Sequence, residues 1–513
     1  MLVCRSVLLL AVMSLSFNSA RSQVNYQLEP FNSGLIVRPF DLGDGNTLYG
    51  CQRRFGGDSS YVSLLNATPD HAVVNAITIR GNDPLTFLLD VDALDDGYVF
   101  CGSQVNAGLY AFITRVSADG AVEWSRSFNN IDGAGFEQNQ IACIIPSGSS
   151  FVAYTSPNLY QGAGRSGSYR IVSDGSGGSW EGQSIASPGN VRYKVVGGIA
   201  ANMDEHTLYG SGQHLSNTYD HRLMVMRTTS QGATWMKFYD MRSSASLQHE
   251  FAYTLSPISG ERFLLTGLFT TGMTTFEGFI LELDNDGDLL WCRRYADSSG
   301  GLTIHSVVER PGGGLLAAAV DGAGRITLLE LLADGELLGA YQHQDAIGTG
   351  GFRQVFFTNG AGELMLVAAD RVISVRSDGA SCEFVPVSSV TSSLHTPTVT
   401  THSMTNAPFA PSDTSLDAYS LSNDLSWAQT CVLNGIEERG NGSFPLAYPV
   451  PTDGMVHFGD GLVSRERVIV RDVLGAVRYD GQYGSGIDMR SLPPGTYTCE
   501  VPSRGWVLKV VRE

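Results

Sequence analysis

The chain has 513 residues, 43% of them hydrophobic and 16% charged, which is enough apolar material for a sizeable core and too little charge for a disordered chain. Its 33 basic residues stand against 51 acidic ones, a formal charge of -18. That field repels phosphate backbones and anionic lipid headgroups, which argues against nucleic acid as a partner.

The chain begins with Arg5, an apolar run over residues 7–15 broken only by Ser14, and small residues ending in Ser19-Ala20-Arg21-Ser22. A positive start, a short apolar centre and a small-residue exit read as a signal peptide over residues 1–22, cleaved after Ala20 or Ser22. The run is too short for a permanent anchor, and no later apolar stretch reaches membrane length. The expected product is exported, soluble and without a transmembrane anchor. Cys4 lies in the leader with no lipobox before it. The other cysteines are Cys51, Cys101, Cys143, Cys292, Cys382, Cys431 and Cys499, an odd and scattered set without a C-x-x-C pair. They read as small buried hydrophobes rather than a disulfide framework or zinc site. Cys51 and Cys101, which flank equivalent glycines, are the first pair to consider for a bridge.

From there one unit recurs: a Gly- or Asp-rich turn, an apolar strand ending in a small residue, a second apolar strand, a tight polar turn, and a strand starting near Trp. Gly50, Gly102, Gly210 and Gly267 are 52, 108 and 57 residues apart, with further units at 315–320 and 364–369. Trp124, Trp180, Trp235 and Trp291, separated by 56, 55 and 56 residues, give the same period independently. Phe128, Ser184, Tyr239 and Tyr295 follow each Trp by four residues and share its strand face. Trp427 reads as the close of the array.

Short apolar or alternating strands, with no sustained helical period, predict an all-β chain. A period near 50 residues with about four strands per unit predicts a β-propeller of seven or eight blades over residues 24–433, the eighth being degenerate. About twice that length would be needed per unit for a stack of immunoglobulin-like sandwiches. The Ser/Thr/Pro-rich stretch 388–415 weakens the last unit.

A Gly/Asn/Ser linker over residues 434–446 ends the periodicity, and a separate domain is expected over 447–513. It opens with Tyr448-Pro449-Val450-Pro451-Thr452-Asp453-Gly454, continues through a strand to Asp472-Val473-Leu474-Gly475, then Leu492-Pro493-Pro494-Gly495-Thr496-Tyr497, and closes on the strand containing Lys509. Proline pairs fix an extended lead-in, and the Asp/Gly and Pro/Gly steps supply turns between strands of a small antiparallel sandwich.

In this order, ending with the chain, these motifs resemble the type A C-terminal sorting domain of type IX secretion cargo. Val450 departs from the Asn usual between the two prolines. The resemblance implies passage across the outer membrane by the type IX machinery, then removal of the domain and release or surface attachment of the cargo.

Two motifs invite other chemistry. Asp284-Asn285-Asp286-Gly287-Asp288 has the carboxylates of a calcium loop, but it occupies a repeated hairpin-turn position and lacks the EF-hand spacing. Residues 228–235, Thr-Thr-Ser-Gln-Gly-Ala-Thr-Trp, resemble the Asp-box of sialidase-type propellers, which is a folding element and says little about catalysis. His206, His214, Asp220 and His221 match no standard metal spacing and read as polar loop residues. No G-x-S-x-G, H-E-x-x-H, P-loop or Rossmann pattern occurs. No catalytic, metal or cofactor site is assigned. The reading is a secreted or cell-surface module that binds an extracellular glycan or protein, with a polysaccharide hydrolase or lyase as the alternative.

Overall fold

In the computed structural model, the described residues run from Gln23 to Arg512; residues 1–22, 434–446 and a series of shorter loop segments lie outside the description. The described residues are strands and turns without an α-helix. Two compact units divide the chain, Gln23–Val432 and Leu433–Glu513, the second grouped with residues 1–22.

The larger unit is built from four-stranded antiparallel meanders. Sheet I comprises Gly34–Asp41, Thr47–Phe55, Ser59–Ala67 and Val73–Gly81; sheet II, Leu85–Leu94, Gly97–Val105, Leu109–Ser117 and Val122–Phe128. Sheet III comprises Asn139–Ser147, Ser150–Pro157, Gly167–Ser173 and Trp180–Ala186; sheet IV, Val191–Ala200, His206–His214, His221–Thr229 and Gly232–Asp240. Sheet V comprises Glu250–Ile258, Arg262–Thr270, Phe276–Leu283 and Leu289–Asp297; sheet VI, Leu302–Glu309, Leu315–Asp321, Arg325–Leu331 and Leu337–Ala346. Sheet VII comprises Val355–Thr358, Leu364–Ala368 and Arg371–Ser374, and takes its fourth strand, Gln23–Glu29, from the other end of the unit. Sheets I and II are joined by one parallel bridge, Ser60 to Leu85.

Each pair of consecutive sheets shares an apolar core, and so do sheets VII and I. The first strands of these same neighbours contact one another, again including VII with I. Packing on both faces explains why inner strands read as continuous apolar runs: all seven residues of Leu315–Asp321 are buried. Each buried Leu, Ile or Phe contributes about 1.5–3 kcal/mol.

Every sheet also carries a fifth strand. The segment 384–433 supplies Phe384–Val387 to sheet VI, Val390–Leu394 to V, Thr398–His402 to IV, Thr405–Phe409 to III, Asp413–Ser415 to II, Ala418–Ser422 to I and Ser426–Leu433 to VII. The stretch expected to weaken a last repeat is therefore no repeat. It is spread as edge strands over sheets V, IV, III and II, inside a longer segment that reaches all seven, and Trp427 sits in the last of these edge strands rather than closing the array. Ser/Thr-rich sequence suits this position because its side chains need no core.

The smaller unit holds two antiparallel sheets: Ala447–Tyr448, Met455–Phe458 and Ile487–Asp488; and Arg467–Asp472, Val477–Gln482, Gly495–Val501 and Trp506–Arg512. They share one core, including Val456, Val470, Met489, Tyr497 and Val510.

Candidate functional site

The first strand of each of sheets I to VI is bulged by one residue, namely Val37, Leu89, Ala142, Val196, Tyr253 and His305. Aligning Leu315–Asp321 of sheet VI with 364–370 of sheet VII puts Gln354 at the same position. A bulge breaks the ladder and frees main-chain groups for other partners. Here the partners belong to the neighbouring sheet. The Tyr253 carbonyl accepts Tyr209 Oη–H of sheet IV at 2.9 Å. His305 O accepts Thr254 and Thr266 hydroxyls of sheet V at 3.0 and 3.2 Å. Gln354 N–H donates to His305 Nδ1 at 3.2 Å, so the ring carries its proton on Nε2, 3.1 Å from Thr303 Oγ1. Ile36 N–H donates to Ala369 O at 2.9 Å, joining sheet I to VII.

Between sheets I, II and III the link is ionic. Arg38, beside the first bulge, donates from Nη1 to Asp90 Oδ1 at 2.6 Å, and Asp90 Oδ2 accepts Ile144 N–H at 2.9 Å. One carboxylate thus ties three first strands together. Asp92, on the same strand face as Asp90, lies 3.4 Å from Arg38 Nη2. Burial pushes its carboxyl up to about 7, with Arg38 pulling the other way and Asp90 adding to the rise. Burial would lower Arg38, but Asp90 and Asp92 more than reverse this and hold it above its ordinary value; Tyr209 of sheet IV is also within its electrostatic reach. Arg38 retains 37% side-chain exposure and stacks over Phe40, 4.8 Å from the ring centroid. Tyr253 stacks on His305 at 4.4 Å.

Sheets IV and V meet over a buried acid. Glu250 accepts Met241 N–H at 2.7 Å and Leu223 N–H at 3.1 Å. Burial pushes it up to about 8 despite these donors.

The repeated Trp strands do a different job. Trp124 Nε1 donates to Gly175 O at 3.0 Å, and Arg126 Nε to Gly177 O at 3.0 Å. Lys237 Nζ donates to Asp286 O and Asp288 Oδ1, both at 2.7 Å, and Tyr239 Oη to Gly287 O at 2.6 Å. Arg293 donates to Asp334 O and Oδ2, both at 2.8 Å, and Tyr295 Oη to Gly335 O at 2.6 Å. The strands of Trp124, Trp235 and Trp291 therefore latch onto the turn of the next sheet, whereas Trp180 packs edge-on against Trp124 and Phe128 in the core between sheets II and III. The acidic turn at 284–288 is one of these turns: Asp284 Oδ1 accepts Asp286 and Asp288 N–H at 3.0 and 2.7 Å.

Sequence reasoning found the Trp and the aromatic four residues on, but missed the cation between them. It also missed Arg38, Asp90 and Asp92, whose signal was charge inside strands that are otherwise apolar. His206, read as a loop residue, is buried at the start of a strand with Nδ1 2.8 Å from Tyr154 Oη; Asp220 lies outside the described residues. Cys51 and Cys101 are both free and buried, as are Cys143, Cys292 and Cys499. A Cys51–Cys101 bridge fails because the two belong to different cores, between sheets VII and I and between II and III; equivalent positions are a sheet apart.

In the smaller unit, Tyr448 pairs with His457, while Pro449, Pro451, Thr452, Asp453 and Gly475 lie outside the described residues. Gly454 O accepts Met489 N–H at 2.8 Å. Asp472 caps its turn, Oδ1 accepting Ala476 N–H at 3.0 Å. Leu492 packs at the core margin, and Pro493 O accepts the hydroxyl of buried Tyr497 at 2.6 Å across Gly495. Lys509 pairs with Thr498 in the last ladder. No protein-family model matches this chain, and no curated protein does either.

Proposed function

We propose that the protein is exported, that its sheets close into a seven-bladed β-propeller, and that the propeller is a binding module for an extracellular glycan or protein. The closed ring is supported by the shared cores and first-strand contacts that run from sheet I to VII and back to I. The observation that carries binding over catalysis is the engagement of the inner polar groups. Asp90, His305, Tyr209 and Thr254 each bond to a neighbouring sheet, which makes them struts of the ring. Recognition then falls to the loops of a rigid acidic scaffold.

The smaller unit is, on this reading, the sorting domain that hands the chain to the type IX secretion machinery. Its motif residues Asp472, Leu492, Pro493 and Tyr497 serve turns and core, as a compact recognition domain requires. Residues 1–22 are the leader for the first membrane. The protein ends on the cell surface or in the medium.

One observation favours the hydrolase or lyase reading. Asp92 is held at about 7 beside Arg38, a protonation range suited to a general acid. A glycan array probed with the exported protein, with each ligand weighed afterwards by mass spectrometry, decides between the two. Binding with unchanged ligand mass is expected; a mass change lost in Asp92→Asn makes the protein an enzyme. Removal of residues 447–513 is expected to trap the chain in the periplasm of a bacterium with the type IX machinery. Undiminished export of the truncated chain would sink that part.

A further inference from the structure

The segment 384–433 visits the sheets in the order VI, V, IV, III, II, I, VII, against the direction in which the chain built them. It meets each sheet through main-chain pairing, as in Met236 to His402 through Asp240 to Thr398. Over residues 384–402 and Met404, whose side chains are described, only Val390 and Pro397 are buried and only Val390 is a core member, with Phe384, Val387 and Met404 at the margins. Leu394 is 70% exposed, and Val385 and Val399 are 39% exposed. Pro386 and Pro408 stand inside strands of only five residues or fewer, opposite Tyr341 and Gln183. Short strands and prolines are how a sheet edge is made unfit for further pairing.

We propose that residues 384–433 are a strap, an edge-capping element that forms after the sheets and can leave without undoing them, and whose final strand retains the N-terminal strand. The order of events follows from the pairing. A strap strand has nothing to pair with until the fourth strand of its sheet is in position. The last one, Ser426–Leu433, pairs with Gln23–Glu29, whose other neighbour is Arg371–Ser374. The N-terminal strand must therefore dock first, and the strap then encloses it. Separability follows from the cores, to which the described side chains of the strap, those of residues 384–402 and Met404, contribute Val390 alone as a full member. Without the strap, the fourth strands become open edges able to pair with other chains.

The test inserts a site-specific protease sequence between Thr396 and Pro397 in the full chain, in the turn between two strap strands. After cutting, size-exclusion chromatography in a urea series and amide hydrogen exchange follow the product. The expected result is release of the piece carrying residues 397–513 below the main unfolding transition. Amide exchange should rise at least about ten-fold in the fourth strands of sheets I to IV and in Gln23–Glu29, the second strands staying protected. Loss of strap and sheets in one transition, or collapse on cutting, overturns the proposal. Should the insertion prevent folding, Val399→Pro and Thr400→Pro replace it, since successive N–H groups on a strand point to opposite sides and one of the two must remove a ladder donor. One variant should then speed exchange over Gly232–Asp240 alone; no change in either, or loss of the sheet IV core, overturns the proposal.

Discussion

Tyr239 and Val399 face each other in register on adjacent strands, yet Tyr239 is fully buried and Val399 is 39% exposed. The first belongs to a meander, packed between sheets; the second belongs to the strap, which lies outside them. Backbone geometry is shared, but only the meander strand is held by its side chains. The strap is held by hydrogen bonds, each worth about 0.5–1.5 kcal/mol net.

The strongest way to break that contrast is to cut side chains on both sides of it. Phe279 is fully buried in the core between sheets IV and V. Phe279→Ala should cost about 3–5 kcal/mol in urea or guanidinium unfolding, from lost burial and the cavity left behind. A loss below 1 kcal/mol would mean that the sheets, like the strap, are held mainly by their ladders.

Asp90→Ala sharpens the contrast on the polar side, because it removes a main-chain acceptor and an ion-pair partner from three first strands at once. The expected cost is about 2–3 kcal/mol, most of it from leaving Ile144 N–H without its acceptor and Arg38 with only the longer contact to Asp92. Arg38→Met in the same background should recover part of it, and a double-mutant cycle measures how much. Purely additive losses would remove Asp90 from its role as a strut.

The pH dependence separates the same struts from the strap, whose described side chains include none of the shifted acids. Glu250 and Asp92, pushed by burial up to about 8 and about 7, keep their protons when folded at pH values where the unfolded chain has released them. Their contribution is complete below the ordinary carboxylate range and is lost as pH rises through 7 to 8. Burial lowers His71 and His206 to about 4, so their contribution is complete above the ordinary histidine range and is lost as pH falls towards 4. At pH 6.5 the unfolded histidines are still about half protonated and oppose the acids; above about pH 7.5 they are neutral in both states and only the acids act. Stability should then fall by up to about 1.4 kcal/mol per pH unit for each acid. Glu250→Gln should flatten the slope, as read from unfolding midpoints at pH 6.5, 7.25 and 8; an unchanged slope rules Glu250 out as its source.

Much of the meander was legible because its repeats carry side chains under packing constraint. The Trp spacing and the continuous apolar second strands mark elements buried on both faces, and Trp124, Trp235 and Trp291 do pack against the turn glycines of the next sheet. The bulges were not legible, since the extra residue is Val, Leu or Ala in four strands and leaves no mark on the pattern. Neither was the Arg38–Asp90 strut, whose partners are 52 residues apart and meet only when two sheets meet. The strap was misread for the opposite reason. Edge strands with exposed Ser and Thr have no apolar period, and composition alone makes them look like a failing repeat.

The turn glycines test the latch at a smaller scale. Gly335 and Gly362 share φ +78°, but a Cβ at Gly335 would meet Trp291 at 2.7 Å, whereas at Gly362 nothing lies within 4 Å. Both Gly→Ala changes incur the left-handed backbone cost of about 1 kcal/mol. Gly335→Ala should cost about 1–2 kcal/mol more, because the indole must move off the turn it latches. Equal losses would show that the Trp contact contributes nothing beyond the turn.

The smallest expected effect is the most informative about the strap. Thr400 opposes Phe238 in register and its side chain is exposed. Thr400→Ala keeps the N–H and C=O that hold the strand and removes only solvated atoms and some β-propensity, so unfolding stability should stay within about 0.5 kcal/mol. Phe238, opposite it, is 4% exposed and sits in the core between sheets III and IV. Phe238→Ala should cost several times as much, about 3 kcal/mol or more. Both residues occupy the same ladder step, so propensity and pairing are matched and only burial differs. A Thr400→Ala loss approaching that of Phe238→Ala would mean that the strap is held by side chains after all, and its separability would fall with it.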